Sequence, residues 1–377
     1  MALLRLGLGL CALGLSEVAG ASENVTYTYD ALGRLEAVGH GGNVNEGLIS
    51  SFSYDDAGNR LLVTVTGVAA PTTGTEAGDT LYGTAGNDSV SGLGGNDWIY
   101  AYQGGADTLF GGAGNDVFLM GAAYSQADII DGGAGNDQLV LKGNYPGILL
   151  GPNLASVEFI AILSSQDNNG GPGSGDPNVL YSYNVVAADM LTPAGALLTV
   201  DAAQLRPAET LAFDGSAETD GRFRIFGGQG TDTIIGGAGN DILVGRANAD
   251  RLDGLGGADT FQYAAGESSG AAYDVLVGFD ERSDKIDLPA LVTGFAPAVG
   301  QASLSAATFA SDLAAAVQGV LGAGQAVTVA ATAGSLAGRA FLVADANGIA
   351  GFQAGADFVF EIEAPPVPVS GTVNFFI

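Results

Sequence analysis

Aspartates return every nine residues along two stretches of this chain, and that period limits its fold more than any other feature. The segment "GGAGNDILVGRANADRLDGLGGADTF", residues 236 to 261, places Asp241, Asp250 and Asp259 nine apart. Each closes a glycine-rich turn and is followed two residues later by an apolar side chain. The first array reads "GTAGNDSVS", "GLGGNDWIY", "YQGGADTLF" and "GGAGNDVFL", carrying Asp88, Asp97, Asp107 and Asp116, with Ala101 inserted and Asp79 nine residues ahead. After a break it resumes with Asp128 and Asp137, again nine apart. The second array, "GGQGTDTII", "GGAGNDILV", "GRANADRLD" and "GLGGADTFQ", carries Asp232, Asp241, Asp250 and Asp259 in phase.

Each unit divides into a turn ending in Asp and a three-residue strand whose middle residue is apolar: Val90, Ile99, Leu109, Phe118, Leu139, Ile234, Leu243, Leu252 or Phe261. So short a strand buries a single side chain. Units must therefore stack and pool those side chains into one core, which is the logic of a solenoid. Glycine at the first, second and fourth turn positions admits backbone angles that a Cβ forbids. Two units make one coil of about eighteen residues, which sets Asp241 over Asp259 on one side and Asp232 over Asp250 on the other.

That stacking brings like charges together in a chain that already holds 41 acidic residues against 12 basic ones, a formal charge of -29. Self-repulsion opposes compaction, yet 47% hydrophobic and 14% charged residues are not the make-up of a disordered acidic tail. A nucleic-acid partner is not expected, because phosphate calls for a basic patch. Metal cations remain. Carboxylates stacked within about 6 Å are unfavourable unless a cation lies between them. The turns offer only oxygen donors, which suits calcium, with its six to eight oxygen ligands in flexible geometry, better than magnesium or zinc.

These units resemble the G-G-x-G-x-D-x-U-x nonapeptide of the repeats-in-toxin (RTX) family, a calcium-binding parallel β-roll. The resemblance implies a right-handed roll with calcium held between successive turns by Asp side chains and turn carbonyls. The ligands it implies here are Asp88, Asp97, Asp107, Asp116, Asp137, Asp232, Asp241, Asp250 and Asp259, together with Asp79 and Asp128. Asn248 and Arg246 in "GRANAD", and the glycine-free "YSQAD" before Asp128, depart from the pattern, so weak or empty sites are expected there.

The segment "TFQYAAGESSGAAYDVLVGFDERSDKIDLPAL", residues 260 to 291, with "FLVADANGIAGFQAGADFVFEIE" and the ending "NFFI", resembles the region after the roll in serralysin-type metalloproteases and other secreted calcium-binding proteins. There it caps the roll and serves as a type I secretion signal. Phe279, Ile286 and Leu288 are expected to close the apolar core, and "SDLAAAVQGVL" to form a short helix with Ser311 as its N-cap. Proteolysis does not carry over: a zinc site needs H-E-x-x-H and a further His, and His40 in "VGHGGN", read as a surface turn residue, is the one histidine. "GESSG" matches G-x-S-x-G around Ser268, but a nucleophile elbow joins a strand directly to a helix and needs a His base. "DANG", residues 345 to 348, begins like an EF-hand loop but has Ala350 at its sixth position, and is read as a hairpin turn.

At the N-terminus, "MALLRLGLGLCALGLSEVAGAS" has the basic start, short leucine-rich run and Ala19-Gly20-Ala21 site of a signal peptide. It also holds Cys11, the one cysteine, so no internal disulfide exists. "YTYDALGRLEAV" and "FSYDDAGNRLLVTV" resemble the tyrosine-aspartate (YD) repeats of rearrangement-hotspot proteins, a β-hairpin element. Residues 143 to 221 read as strands around the polar loop "SSQDNNGGPGSGDPN", either continuing the stack or forming an additional β layer.

The expected fold is all-β: parallel β-roll (β-solenoid) segments with that additional layer and a capping C-terminal β domain containing a short helix. Its expected parts are a signal peptide 1–21, YD-repeat-like hairpins 22–67, a linker 68–78, a first calcium roll 79–142, the β-rich segment 143–221, a second calcium roll 222–263 and a serralysin-like cap and secretion region 264–377. The expected function is that of a secreted, bacterial-type, extracellular calcium-binding protein without catalysis, folding when it meets calcium. Export is either type I or general secretory, with no membrane span. The alternatives are a calcium-dependent adhesin or surface-layer subunit, with self-association or cell-surface carbohydrate contact, and an enzyme using an unrecognised pair such as Glu158 and Asp176.

Overall fold

The structure is a computed structural model that describes residues 23–30, 32, 34–42, 49–54, 60–66, 72–167, 178–189, 191–363 and 374–377. The chain splits into two compact units, Met1–Ala70 and Pro71–Ile377. Within the first, Glu23–Tyr29, Leu35–Gly42, Ile49–Tyr54 and Arg60–Thr66 pair antiparallel in chain order. Tyr27 and Tyr29 are exposed. His40 lies inside the strand Leu35–Gly42, opposite Val25, rather than in a turn; the glycines around it disguise an extended segment. The signal segment 1–21 and Asp176 lie outside the described residues.

The second unit is a parallel roll with an antiparallel cap. One wall is a ten-stranded parallel sheet running from Thr80–Tyr82 through Trp98–Tyr100 and Val117–Gly121 to Ile242–Val244, Thr260–Gln262 and Lys285–Asp287. The facing wall is a five-stranded parallel sheet over the first coils, from Thr72–Thr73 to Leu154–Ala155, and then a second sheet that begins at Tyr145–Leu150. Because Thr72–Thr73 already pairs with Ser89–Gly94, the roll starts inside the stretch expected to be a linker.

Parallel register puts the middle residue of each short strand directly over its neighbour: Ile99 on Phe118, Phe118 on Leu139, Leu243 on Phe261, Phe261 on Ile286. All nine residues singled out from the period are 0% exposed, which fixes the reading of the pattern as one inward side chain per strand. Each such burial contributes roughly 1.5–3 kcal/mol. Residues 143 to 221 do not form a separate layer among the described residues. Phe159–Ile162, Leu197–Asp201 and Arg222–Phe226 continue the ten-stranded wall, while Ser182–Ala187 and Thr210–Asp214 continue the facing one.

At the far end, Phe358–Glu363 pairs in parallel with Asp274–Val277 and antiparallel with Ala340–Ala344, so the cap extends the facing wall. Phe279, Ile286 and Leu288 are buried in the roll's core as expected, joined by Phe375 and Phe376. The helix spans Phe309–Val317, burying Phe309, Leu313 and Val317. Ser311 is not its N-cap. The cap position is Thr308, and Ser311 lies one turn inside, donating its hydroxyl to Thr308 O at 2.8 Å. "DANG" opens the connection between the antiparallel strands Ala340–Ala344 and Phe358–Glu363, with Asp345 Oδ1 accepting the Asn347 and Gly348 amides at 3.0 and 2.8 Å.

Candidate metal centre

The repeat aspartates line two edges of the roll, each at the end of a turn and just before a strand. On both edges one carboxylate oxygen, Oδ1, accepts the backbone N–H of the equivalent residue one coil earlier. Asp79 donates to Asp97 at 2.7 Å, Asp97 to Asp116 and Asp116 to Asp137 at 2.8 Å. Across the roll, Asp88 donates to Asp107 at 2.9 Å and Asp107 to Asp128 at 2.8 Å. In the second array Asp232 donates to Asp250 and Asp241 to Asp259, at 2.8 and 2.9 Å. The stacking expected from the nine-residue beat is therefore present on both edges.

Three carboxylates that break the beat extend these columns. Asp250 donates to Asp274 at 2.9 Å, Asp259 to Asp284 at 3.2 Å, and Asp137 to Glu158 Oε2 at 2.8 Å. They stand 24, 25 and 21 residues beyond their predecessors, so a strict count of nine misses them. The usable signal was different: a carboxylate just ahead of a short apolar strand, as in "YDVLV" and "SDKID".

The second oxygen, Oδ2, separates two groups. In Asp79, Asp88, Asp128, Asp232 and Asp241 it accepts an amide from within its own turn, for instance Gly228 to Asp232 and Gly237 to Asp241, both at 2.6 Å. The Asp274 carboxylate has the buried Tyr263 hydroxyl beside it, whereas in Asp97, Asp107, Asp116, Asp137 and Asp250 Oδ2 is buried and accepts nothing. Such an atom is costly, about 1–3 kcal/mol or more for a charged group. In most of the turns the first glycine makes room for Oδ2, partnered or not, as at Gly92 for Asp97, Gly111 for Asp116 and Gly245 for Asp250; the turn of Asp107 begins instead with Tyr102. A Cβ on Gly227 would lie 2.5 Å from Asp232 Oδ2 and 2.6 Å from Gly245 O, so a carboxylate oxygen and a carbonyl of the next coil converge on that spot. At the fourth position the need is conformational, as at Gly114 with φ +132°. Arg246 and Asn248 hold φ of 77° and 74° in the departing turn, a strain of roughly 1–3 kcal/mol each.

Burial without a counter-charge moves these groups in one direction. It pushes Asp107, Asp137 and Asp241 up to about 6 and Asp250 and Asp259 up to about 8. Burial also raises Asp116 and Asp232, and Asp274 most strongly. Neighbouring carboxylates add to it, Asp232 on Asp250 and Asp241 on Asp259, against the opposing backbone hydrogen bonds. Oriented carbonyls beside unpartnered carboxylate oxygens form an all-oxygen donor set for a hard divalent cation. Among the described residues no three Asp, Glu, His or Cys side chains converge on one point, so any ion there would draw mainly on backbone oxygens.

Fold and site together define a parallel β-solenoid with stacked aspartate turns on its edges. The comparison with protein families points the same way: the model of the RTX calcium-binding nonapeptide repeat (4 copies) matches residues 73–104, 103–139 and 226–261. These segments coincide with the two aspartate arrays. Among curated proteins, no match to the chain was found.

Two other sequence features are placed by the structure. Ser268 is buried; its hydroxyl donates to Val359 O at 2.6 Å and accepts the Asp274 amide at 2.8 Å, bracing the junction of roll and cap. Glu158 belongs to the carboxylate column described above.

Proposed function

We propose that this is a secreted, non-catalytic calcium-binding β-roll protein whose folding is triggered by extracellular calcium. The observation that carries the reading is the set of buried, unpartnered Oδ2 atoms of Asp97, Asp107, Asp116, Asp137 and Asp250 within RTX-type turns. With Asp79, Asp88, Asp128, Asp232, Asp241 and Asp259 they form the ligand set, which Asp274, Asp284 and Glu158 extend. Calcium, when bound, supplies the positive charge that these columns lack. The chain itself supplies the rest: Oδ1 fixes the spacing of successive coils, the first glycine of most turns leaves room for Oδ2, and the apolar strands hold the two edges apart. Where sites form only on folding, binding energy becomes folding energy. Sites of about 10⁻⁴ to 10⁻³ M affinity, typical of extracellular modules, would stay empty inside a cell and fill outside it.

The domain scheme follows from this reading: a signal peptide, YD-like hairpins, two calcium arrays within one roll, and a serralysin-like cap that doubles as a secretion region. The engaged hydroxyl of Ser268 supports a role without catalysis. A second reading, a calcium-dependent adhesin or surface-layer subunit, draws on the exposed Tyr82, Trp98 and Phe110 on the outer faces of the first coils. Calcium-dependent self-association in sedimentation would favour it.

The test is a calcium titration of the full chain followed by circular dichroism, with magnesium as control and an Asp241→Ala, Asp259→Ala double variant. The reading expects a cooperative gain of β signal with calcium alone, weakened in the variant. A chain already folded in chelator and indifferent to calcium would overturn it.

A further inference from the structure

The glycine-rich turns occupy the two ends of the roll, and the coils between them are bonded differently. The comparison concerns one edge, where the chain leaves the ten-stranded wall. There the turns ending in Asp107 and Asp250 follow the strands Trp98–Tyr100 and Ile242–Val244. Lys142 follows Gln138–Leu141 on that edge, and the turn ending in Glu209 follows Leu197–Asp201.

Glu209 is fully buried just ahead of Thr210–Asp214, where Asp232 and Asp250 stand ahead of their own strands. Neither of its oxygens lacks a donor. Oε1 accepts the Ser165 amide at 3.0 Å and the Tyr181 amide at 3.3 Å; Oε2 accepts the Ser164 hydroxyl at 2.7 Å and the Arg206 amide at 3.0 Å. The Arg206 guanidinium reaches the same place. Its Nη2 donates to Glu209 Oε1 at 3.3 Å, to Ser165 Oγ and to Val179 O, a carbonyl of the coil before. One coil earlier the buried Lys142 ammonium donates to Asp167 O.

Two core tyrosines add neutral donors on this edge. Tyr145 donates its hydroxyl to Gly121 O and Tyr183 to Leu163 O, both at 2.6 Å, and the same hydroxyls accept the Tyr124 and Gly143 amides at 3.2 and 3.1 Å. The electrostatic outcome reverses that of the arrays. Burial opposes the Glu209 charge, but the Arg206 and Ser165 amides, the Ser164 hydroxyl and the guanidinium outweigh it and hold the group down at about 2.

We infer that Arg206 and Lys142, helped by the Tyr145 and Tyr183 hydroxyls, stand in for the divalent cation in the central coils. The described coils around Lys142 and Arg206 then close without calcium and form the nucleus from which the two calcium-dependent arrays grow. The inference rests on the calcium reading of the arrays. A guanidinium suits the task because its planar fork reaches a carboxylate, a hydroxyl and a carbonyl together. In a stacked coil array stability is a sum of coil and interface terms, and the first coil is the costly one. A preformed centre lets each array add coils one at a time from an existing edge, so one array extends toward the N-terminus and the other toward the C-terminus.

Amide hydrogen exchange on the full chain, in chelator and in calcium, tests this. In chelator, Phe159–Ile162, Ser182–Ala187, Leu197–Asp201 and Thr210–Asp214 should exchange about ten-fold more slowly, or slower still, than Trp98–Tyr100 and Ile242–Val244. Calcium should slow the array strands and leave the central ones nearly unchanged. Arg206→Gln should remove the central protection in chelator, Arg206→Lys should restore part of it, and Tyr183→Phe gives a milder variant should the first fail to fold. Centre and arrays exchanging equally fast in chelator would overturn the inference while leaving the calcium reading intact. Arrays equally slow with and without calcium would remove the calcium reading, and the stand-in role with it.

Discussion

At Asp250 one carboxylate oxygen accepts the Asp232 amide, the other meets no donor, and burial pushes the group up to about 8. Removing the charge while keeping the shape should therefore act with opposite signs in two conditions. Asp250→Asn is expected to raise the residual β signal in chelator, where the ionised group is a liability, and to lower the thermal midpoint in calcium, where the group is a ligand; circular dichroism and melting curves decide. The pH dependence in chelator follows from the same shifts. Asp107, Asp137 and Asp241, up at about 6, and Asp250 and Asp259, up at about 8, keep protons that the unfolded chain has released above roughly 3.9. The stability they contribute is complete below that value and is lost as pH rises through about 6 to 8. Circular dichroism of the chelated chain should thus show β signal that grows as the pH falls through about 8 to 6, protons partly replacing the missing counter-charge. Calcium must displace those protons, so calorimetry near pH 7 in buffers of different ionisation enthalpy should register proton release on binding.

Coils depend on strands that bury one side chain apiece, so a single truncation should be felt strongly. Leu243→Ala, fully buried between Ile225 and Phe261, is expected to cost about 2–5 kcal/mol in calcium, against near-neutrality for the half-buried, outward-facing Thr260→Ala. This inward column was legible in the sequence because a three-residue strand has one middle. Less was legible where insertions lengthen a turn without disturbing the strands. Asp274, Asp284 and Glu158 keep the register of their columns, yet extra residues in the preceding turns put them off the beat. The central turns were opaque for a related reason: Arg206, Lys142 and two tyrosine hydroxyls do their bonding across 20 or more residues, a relation that only the coil geometry creates. The helix was visible but its start was misjudged, because Ser311 looks like a cap while Phe309 ahead of it supplies the first buried contact.

For the molecule as a whole, the chain carries a formal charge of -29, and the coils of its roll touch mainly their nearest neighbours. Monovalent salt should screen the exposed part of that repulsion and aid the chelated chain modestly, without replacing calcium at buried oxygens. The parallel register also has a mechanical consequence. Backbone hydrogen bonds between coils run along the roll's axis, so axial tension loads them one after another and the roll peels rather than shears. Equivalent strands in the second array lie 18 residues apart, which frees about 60 Å of chain per coil. Phe159 and Thr199, paired across the central coil, are 40 residues apart and would release roughly twice that length in one step. A force-extension trace of this protein should therefore carry a ruler of short, even steps interrupted by a long one, and chelation should erase the short steps first.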